Sequence, residues 1–185
     1  YRPHELTCAL ARSQLRHLDE WNALRIKNCG YLTEQLSKID GVQPPYVPPH
    51  ANSAYWAYVV RFKPADLEIQ LHSRKFRLAV ERALNAEGVP VGQWQTMPVP
   101  AQSIFQFQVG YGKGCPWTCP FGDRPGKYVY RGEDYTETVK LIDDSTRIQG
   151  IWPPNDMDLM ELYVEALRKV FDNLEPVIEL AKRLP

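Results

Sequence analysis

Residues 1–40 form one long amphipathic run, and the rest of this 185-residue chain has to be arranged around it. Leu6, Leu10, Leu18, Trp21, Leu32, Leu36 and Ile39 recur on one face, with Leu15 and Leu24 beside it. Arg12, Arg16, Asp19, Glu20, Arg25, Lys27 and Glu34 fall on the wetted side. This spacing predicts a helix to about Asp40, bent near His17–Asp19 where the apolar phase drifts. Gly41 stands where a helix commonly ends in left-handed backbone. Pro3 suits a first helical turn, since its missing N–H would be unpaired there anyway. So long a seam needs a partner surface, and too little precedes it to supply one. The expectation is a later part of something larger.

The remainder alternates short strands with helices. Val42 to Pro49 carries four prolines in eight residues and reads as an extended connector. Ser53 to Phe62 is aromatic and β-branched, the clearest strand of the chain. Ser73 to Glu87 reads as a helix, with Ser73 as candidate cap and Gly88 closing it. Val89 to Trp94 is a short strand whose Pro90 and Gly92 point to an edge or a bulge. From Thr96 to Lys127 regular structure is limited to one or two helical turns around Pro98–Gln106. Glu133 to Ser145 reads as a helix and Thr146 to Trp152 as a short strand. A final helix starts at Asn155 or Asp156 and is kinked or divided by Pro176. The sum is an α+β domain: a small three-stranded antiparallel sheet with helices on one face, plus the long N-terminal helix.

Basic and acidic residues balance at 22 each, with no dense Lys/Arg cluster, which argues against nucleic acid or an anionic membrane as partner. No apolar run approaches the roughly 18–20 residues of a membrane helix, and no signal peptide is visible, so the cytoplasm is the default compartment. Cys8 and Cys29 lie in the helical run and read as small apolar side chains. Cys115 and Cys119 sit closer together, in a loop rich in Gly and Pro. Their C-x3-C spacing fits neither redox nor zinc-ribbon patterns, and metal binding, a disulfide and ordinary packing all stay open. The Gly110–Gly114 glycines lack the strand–turn–helix frame of a dinucleotide site. The long 110–126 loop is either a surface loop or a functional one, such as a lid. No nucleophile elbow, H-E-x-x-H or phosphate loop is present. The positional lead is Arg2, where a guanidinium beside a helix start can clamp an anion.

One stretch is more specific. Tyr1-Arg2-Pro3-His4-Glu5-Leu6, followed by Ala9, Ala11, Gln14-Leu15, Leu18-Asp19-Glu20 and Arg25, resembles a segment of the DegT/StrS-type sugar aminotransferases. Members carry an Asn-Tyr-Arg-Met-x-Glu-Leu-x-Ala-Ala run, then Gln-Leu-x-x-Leu-Asp and an Arg; Pro3 replaces the Met here. The resemblance implies a fold-type I enzyme that uses pyridoxal phosphate to move an amino group from Glu or Gln to a keto-sugar or keto-cyclitol. It implies that residues 1–41 are a long helix continuing from a cofactor-binding large domain. Residues 42–185 would be the C-terminal small domain. It implies a homodimer in which the Tyr1-Arg2 segment approaches the cofactor phosphate of the neighbouring subunit. Trp94, Gln95 and Gln102 then line the substrate entrance and offer contacts to hydroxyls.

The Trp94 strand and the Pro98-Val99-Pro100-Ala101-Gln102 run look closest to enzymes of cyclitol ketones such as scyllo-inosose. Pro100 stands where many nucleotide-sugar members have His. No catalytic residue is assigned, because the family's Schiff-base Lys, its pyridine-pairing Asp and its ring-stacking aromatic all precede the motif that opens this chain. The isolated chain is therefore expected to be inactive, with no bound cofactor and no metal. The competing reading is a binding or interaction module that kept the small domain and lost catalysis.

Overall fold

The computed structural model describes residues 2–112, 115–119, 121 and 129–184. The amphipathic run divides into α1 (Glu5–Leu15) and α2 (Leu18–Leu36), breaking at Arg16–His17 close to the expected bend. The break tightens to three-residue turns, with the N–H groups of Arg16 and His17 donating to the carbonyls of Ser13 and Gln14. His4, rather than Pro3, opens α1: its Nδ1 accepts from the Leu6 N–H at 3.4 Å. Ahead of the cap, Pro3 gives up no helical bond.

The two halves have different fates. No residue of α1 is buried, and Leu6 is 78% exposed. In α2, Asn28, Cys29, Leu32 and Leu36 are buried, because their spacing of one and four residues puts them on one stripe facing the rest of the fold. Burial pushes the Cys29 thiol up to about 12 from 9.0, against a smaller opposing pull from Arg25. The raised value makes this contribution to stability complete below the ordinary thiol value and lost as pH climbs towards about 12. Alkylation in mildly alkaline buffer should therefore modify exposed Cys8 quickly and leave Cys29 untouched until the protein unfolds. Equal rates would contradict this burial.

The sheet is antiparallel, in the order β1 (Val42–Gln43), β2 (Tyr58–Phe62), β4 (Ser145–Ile148), β3 (Val91–Gln93). The fourth strand is β1, which the prolines at 44 and 45 had marked as connector. Two residues of it pair with Phe62 and Arg61 before Pro44 ends the ladder, as an edge position allows. Gly41, with φ +77, makes the turn into β1; a Cβ there would press into Leu67 at 2.5 Å. β3 is the other edge, as Pro90 and Gly92 led one to expect.

Tyr58, Val60 and Phe62 alternate onto the covered face, fully buried. Over it lie α3 (Ser73–Ala86), α6 (Met157–Asp172) and α7 (Leu174–Arg183). The Phe171 ring sits 5.6 Å from that of Phe62 and 6.4 Å from that of Phe76. His72, not Ser73, caps α3, its Nδ1 accepting from the Arg74 N–H at 3.3 Å. The last helix breaks at Asn173, so Pro176 falls in the first turn of α7, where no intrahelical bond is lost. The opposite face of the sheet, bearing Val59, Arg61, Gly92, Ser145 and Arg147, is left open to the 94–107 segment and to α5 (Thr136–Asp144).

Candidate functional site

The strand predicted for 53–62 is shortened to Tyr58–Phe62 because Tyr55 takes a left-handed φ of +47. A bulky residue rarely adopts that backbone. The Tyr55 N–H donates to Ser53 Oγ at 3.1 Å, and its ring packs against the buried core. Trp56 turns out instead, 76% exposed, and meets Trp94 edge-on with ring centroids 5.2 Å apart. Trp94 follows Gly92 on the open face, and the Arg147 guanidinium lies 5.3 Å from its ring centroid.

Beneath this group is a cavity of about 150 Å³ lined by Val59, Trp94, Gln95, Met97, Val99 and Leu141, among others. A second, more open cavity of about 570 Å³ lies alongside, lined by Thr96, Met97, Gln102, Ser103, Gln106 and Phe107. Met97 belongs to both. Trp94, Gln95 and Gln102 are thus brought to adjoining hollows by the short segment after β3. Arg2 lines neither; it lies exposed just before α1. Tyr1 lies outside the described residues.

The 96–112 segment is folded by its own bonds. A 3-10 turn at Val99–Ala101 leads into α4 (Ser103–Phe107). Gln106 Nε2 donates to the carbonyls of Pro100 at 2.7 Å and Tyr130 at 2.8 Å. Trp117 is nearly buried and donates through Nε1 to the Tyr130 hydroxyl at 3.1 Å, with Phe105 packed on both rings. These contacts tie the described part of the long loop down beside the second cavity. Gly110, at φ +54, is required there, since a Cβ would strike the Cys115 carbonyl. Residues 113–114, 120 and 122–126 of that loop lie outside the described residues. Cys115 and Cys119 are free thiols of intermediate exposure.

Below the open face, Asp144 is almost fully buried. It accepts from Arg61 Nε at 2.7 Å and Nη2 at 2.6 Å, and from Lys63 Nζ at 2.8 Å. These bonds to the carboxylate raise the Arg61 pKa. Among the described residues no three His, Cys, Asp or Glu side chains converge as metal ligands. Among the described residues, no helix is long and apolar enough to cross a membrane.

Trp56, Arg147 and Met97 were not singled out from the sequence. The alternation within β4 could have put Arg147 on the open face. The turn that delivers Trp56 has no sequence signal, because Tyr is an unlikely residue at positive φ.

Comparisons with known proteins converge. A sequence model described as the DegT/DnrJ/EryC1/StrS aminotransferase family matches residues 1–121. The erythromycin biosynthesis sensory transduction protein EryC1 of Saccharopolyspora erythraea is 37% identical over 71 residues, covering 38% of this chain and 19% of that protein. Among solved structures, DesV of S. venezuelae in complex with a ketimine intermediate superposes with a TM-score of 0.67 at 16% identity. The match covers 94% of this chain and 38% of DesV. 3-Amino-5-hydroxybenzoic acid synthase superposes with a TM-score of 0.58 at 17% identity, over 94% of this chain and 37% of the synthase. These similarities show the fold, and this chain spans less than two fifths of the length of either enzyme.

Proposed function

This chain belongs to the DegT/DnrJ/EryC1/StrS aminotransferase family, and on that premise we propose that it is the small-domain portion of a pyridoxal phosphate-dependent enzyme. That enzyme moves an amino group from glutamate or glutamine to a keto-sugar or keto-cyclitol. The observation carrying the reading is the pair of cavities sharing Met97, which gathers Trp94, Gln95 and Gln102 on the face left free of α3, α6 and α7. An indole floor beside two primary amides suits a polyhydroxylated ring. The indole packs against C–H groups, and the amides offer both donors and acceptors to hydroxyls.

The residues described here do not by themselves complete a pyridoxal phosphate site. The cofactor supplies an electron sink once a lysine amine holds it. Among the described residues, no lysine lines either cavity. Lys38 is paired with Glu34 at 2.9 Å and Lys63 with Asp144 at 2.8 Å. Lys140, Lys169 and Lys182 are likewise paired with Glu137, Glu87 and Glu179. No step through the cofactor is therefore assigned to this chain.

Its contributions in the complete enzyme are the substrate entrance and Arg2, which with Tyr1 approaches the cofactor phosphate of the other copy in a cytoplasmic homodimer. Residues 1–41 act as the connecting helix and 42–185 as the small domain. Exposed Leu6, Leu10 and Leu15 of α1 meet the surface that this arrangement requires.

The test is steady-state kinetics on the complete enzyme. Gln102→Ala should raise the KM for the keto acceptor about fivefold, the worth of a neutral hydrogen bond of about 1 kcal/mol. The reaction with the amino donor alone should keep its rate. An acceptor KM unmoved by both Gln102→Ala and Trp94→Ala would remove these residues from the substrate site.

A further inference from the structure

The open face carries a cation that the proposed function leaves unused. Arg147 lies in the interior strand β4, with Val59 as its register partner on one side and Gly92 on the other. A Cβ built on Gly92 would meet nothing within 4 Å, so the strand pair is open there. Arg147 is half-buried. Its guanidinium covers Trp94, and Trp94 is braced by Trp56. The turn before Trp56 holds Tyr55 in left-handed backbone, a conformation kept only where its surroundings enforce it.

Two acids of α5, the helix beside this face, are otherwise engaged. Asp144 is shared by Arg61 and Lys63, and Glu137 pairs with Lys140 at 2.7 Å. Among the described residues, no carboxylate bonds to Arg147. A guanidinium held over an indole by a cation–π contact still has N–H donors to offer, in the fork that matches a carboxylate or a phosphate. Val59 and Trp94, which flank Arg147, are also walls of the smaller cavity.

We propose that Arg147, backed by Trp94 and Trp56, is the residue that binds an oxyanion of the small molecule entering this site. The inference rests on the reading of these cavities as a substrate site. The oxyanion comes either from the carboxylate of the amino donor or from a phosphate on the sugar, and the two sources separate experimentally.

Tryptophan emission of the full protein is titrated with glutarate and, separately, with inorganic phosphate. Wild type, Arg147→Met, Arg147→Lys and, to assign the signal, Trp94→Phe are compared. The expected result is a saturable change with at least one anion, lost in Trp94→Phe. Arg147→Met should weaken it by roughly tenfold or more, as for a hydrogen bond to a charged group. Arg147→Lys, which keeps the charge without the fork, should weaken it less. A response to glutarate identifies the donor carboxylate and a response to phosphate a phosphorylated sugar. No saturable response to either anion, or equal affinity in Arg147→Met and wild type, overturns the proposal. Binding is read without turnover. An Arg147-dependent response in a complete enzyme without transaminase activity would retain this site and reject the function. Full transaminase activity with unchanged KM values for both substrates in Arg147→Met would reject this site alone.

Discussion

Arg77→Met should destabilise the fold by about 3–5 kcal/mol, the cost of leaving a buried charge without its partner. Arg77 is fully buried on α3. Its Nη1 donates to Glu81 Oε1 at 2.7 Å and its Nε to the Asp143 carbonyl at 3.1 Å. Thr146 Oγ1 lies 2.7 Å from the same Glu81 oxygen and 3.0 Å from the Gly92 carbonyl. The network therefore joins α3 to β4, which carries Arg147, and to β3, which leads into Trp94. Removing Arg77 alone strands the Glu81 carboxylate.

Removing both charges should be far milder. Arg77 Nη2 finds no acceptor among the described residues, so the native pair already carries an unmet desolvation cost. Arg77→Met with Glu81→Leu should recover most of the lost stability, leaving Thr146 bonded to Gly92. Urea unfolding of the two variants decides. A single variant within 1 kcal/mol of wild type, or a double variant worse than the single, would show that the network is not organised in this way.

Much of the scaffold was legible from periodicity. Alternation in Tyr58, Val60 and Phe62 and the helical recurrence of Tyr163, Ala166, Leu167 and Val170 match their burial, because each side chain repeats the geometry of its element, although Leu162 of the same recurrence is 59% exposed. The turns were harder to read. His4 and His72 serve as helix caps through Nδ1, a role in which a ring nitrogen replaces the expected hydroxyl or carboxylate oxygen. β1 escaped notice because a two-residue edge strand needs no hydrophobic pattern of its own.

The site was half visible. Trp94, Gln95 and Gln102 came from the resemblance and do line adjoining cavities. Trp56 and Arg147 depend on a left-handed Tyr55 and on strand register, neither of which a linear pattern reveals. The buried Arg77–Glu81 pair was not singled out from the sequence, since nothing in its four-residue spacing distinguishes an exposed pair from a buried one.

The largest functional effect concerns the cofactor. In the proposed enzyme these residues provide substrate contacts and Arg2, while the covalent anchor is supplied by the remainder of the complete protein. Every described lysine whose partner is given above is tied to a carboxylate, and Lys27 and Lys75 line neither cavity. The 185-residue chain alone should therefore transfer no amino group from glutamate, a loss of all measurable turnover rather than a reduced rate.

The most direct measurement is to mix the chain with pyridoxal phosphate, reduce with borohydride and map the label by peptide mass. The expected result is sparse labelling spread over exposed lysines such as Lys27, with no glutamate-dependent conversion of the cofactor to pyridoxamine phosphate. Stoichiometric labelling of one lysine within residues 1–185, together with that conversion, would contradict it.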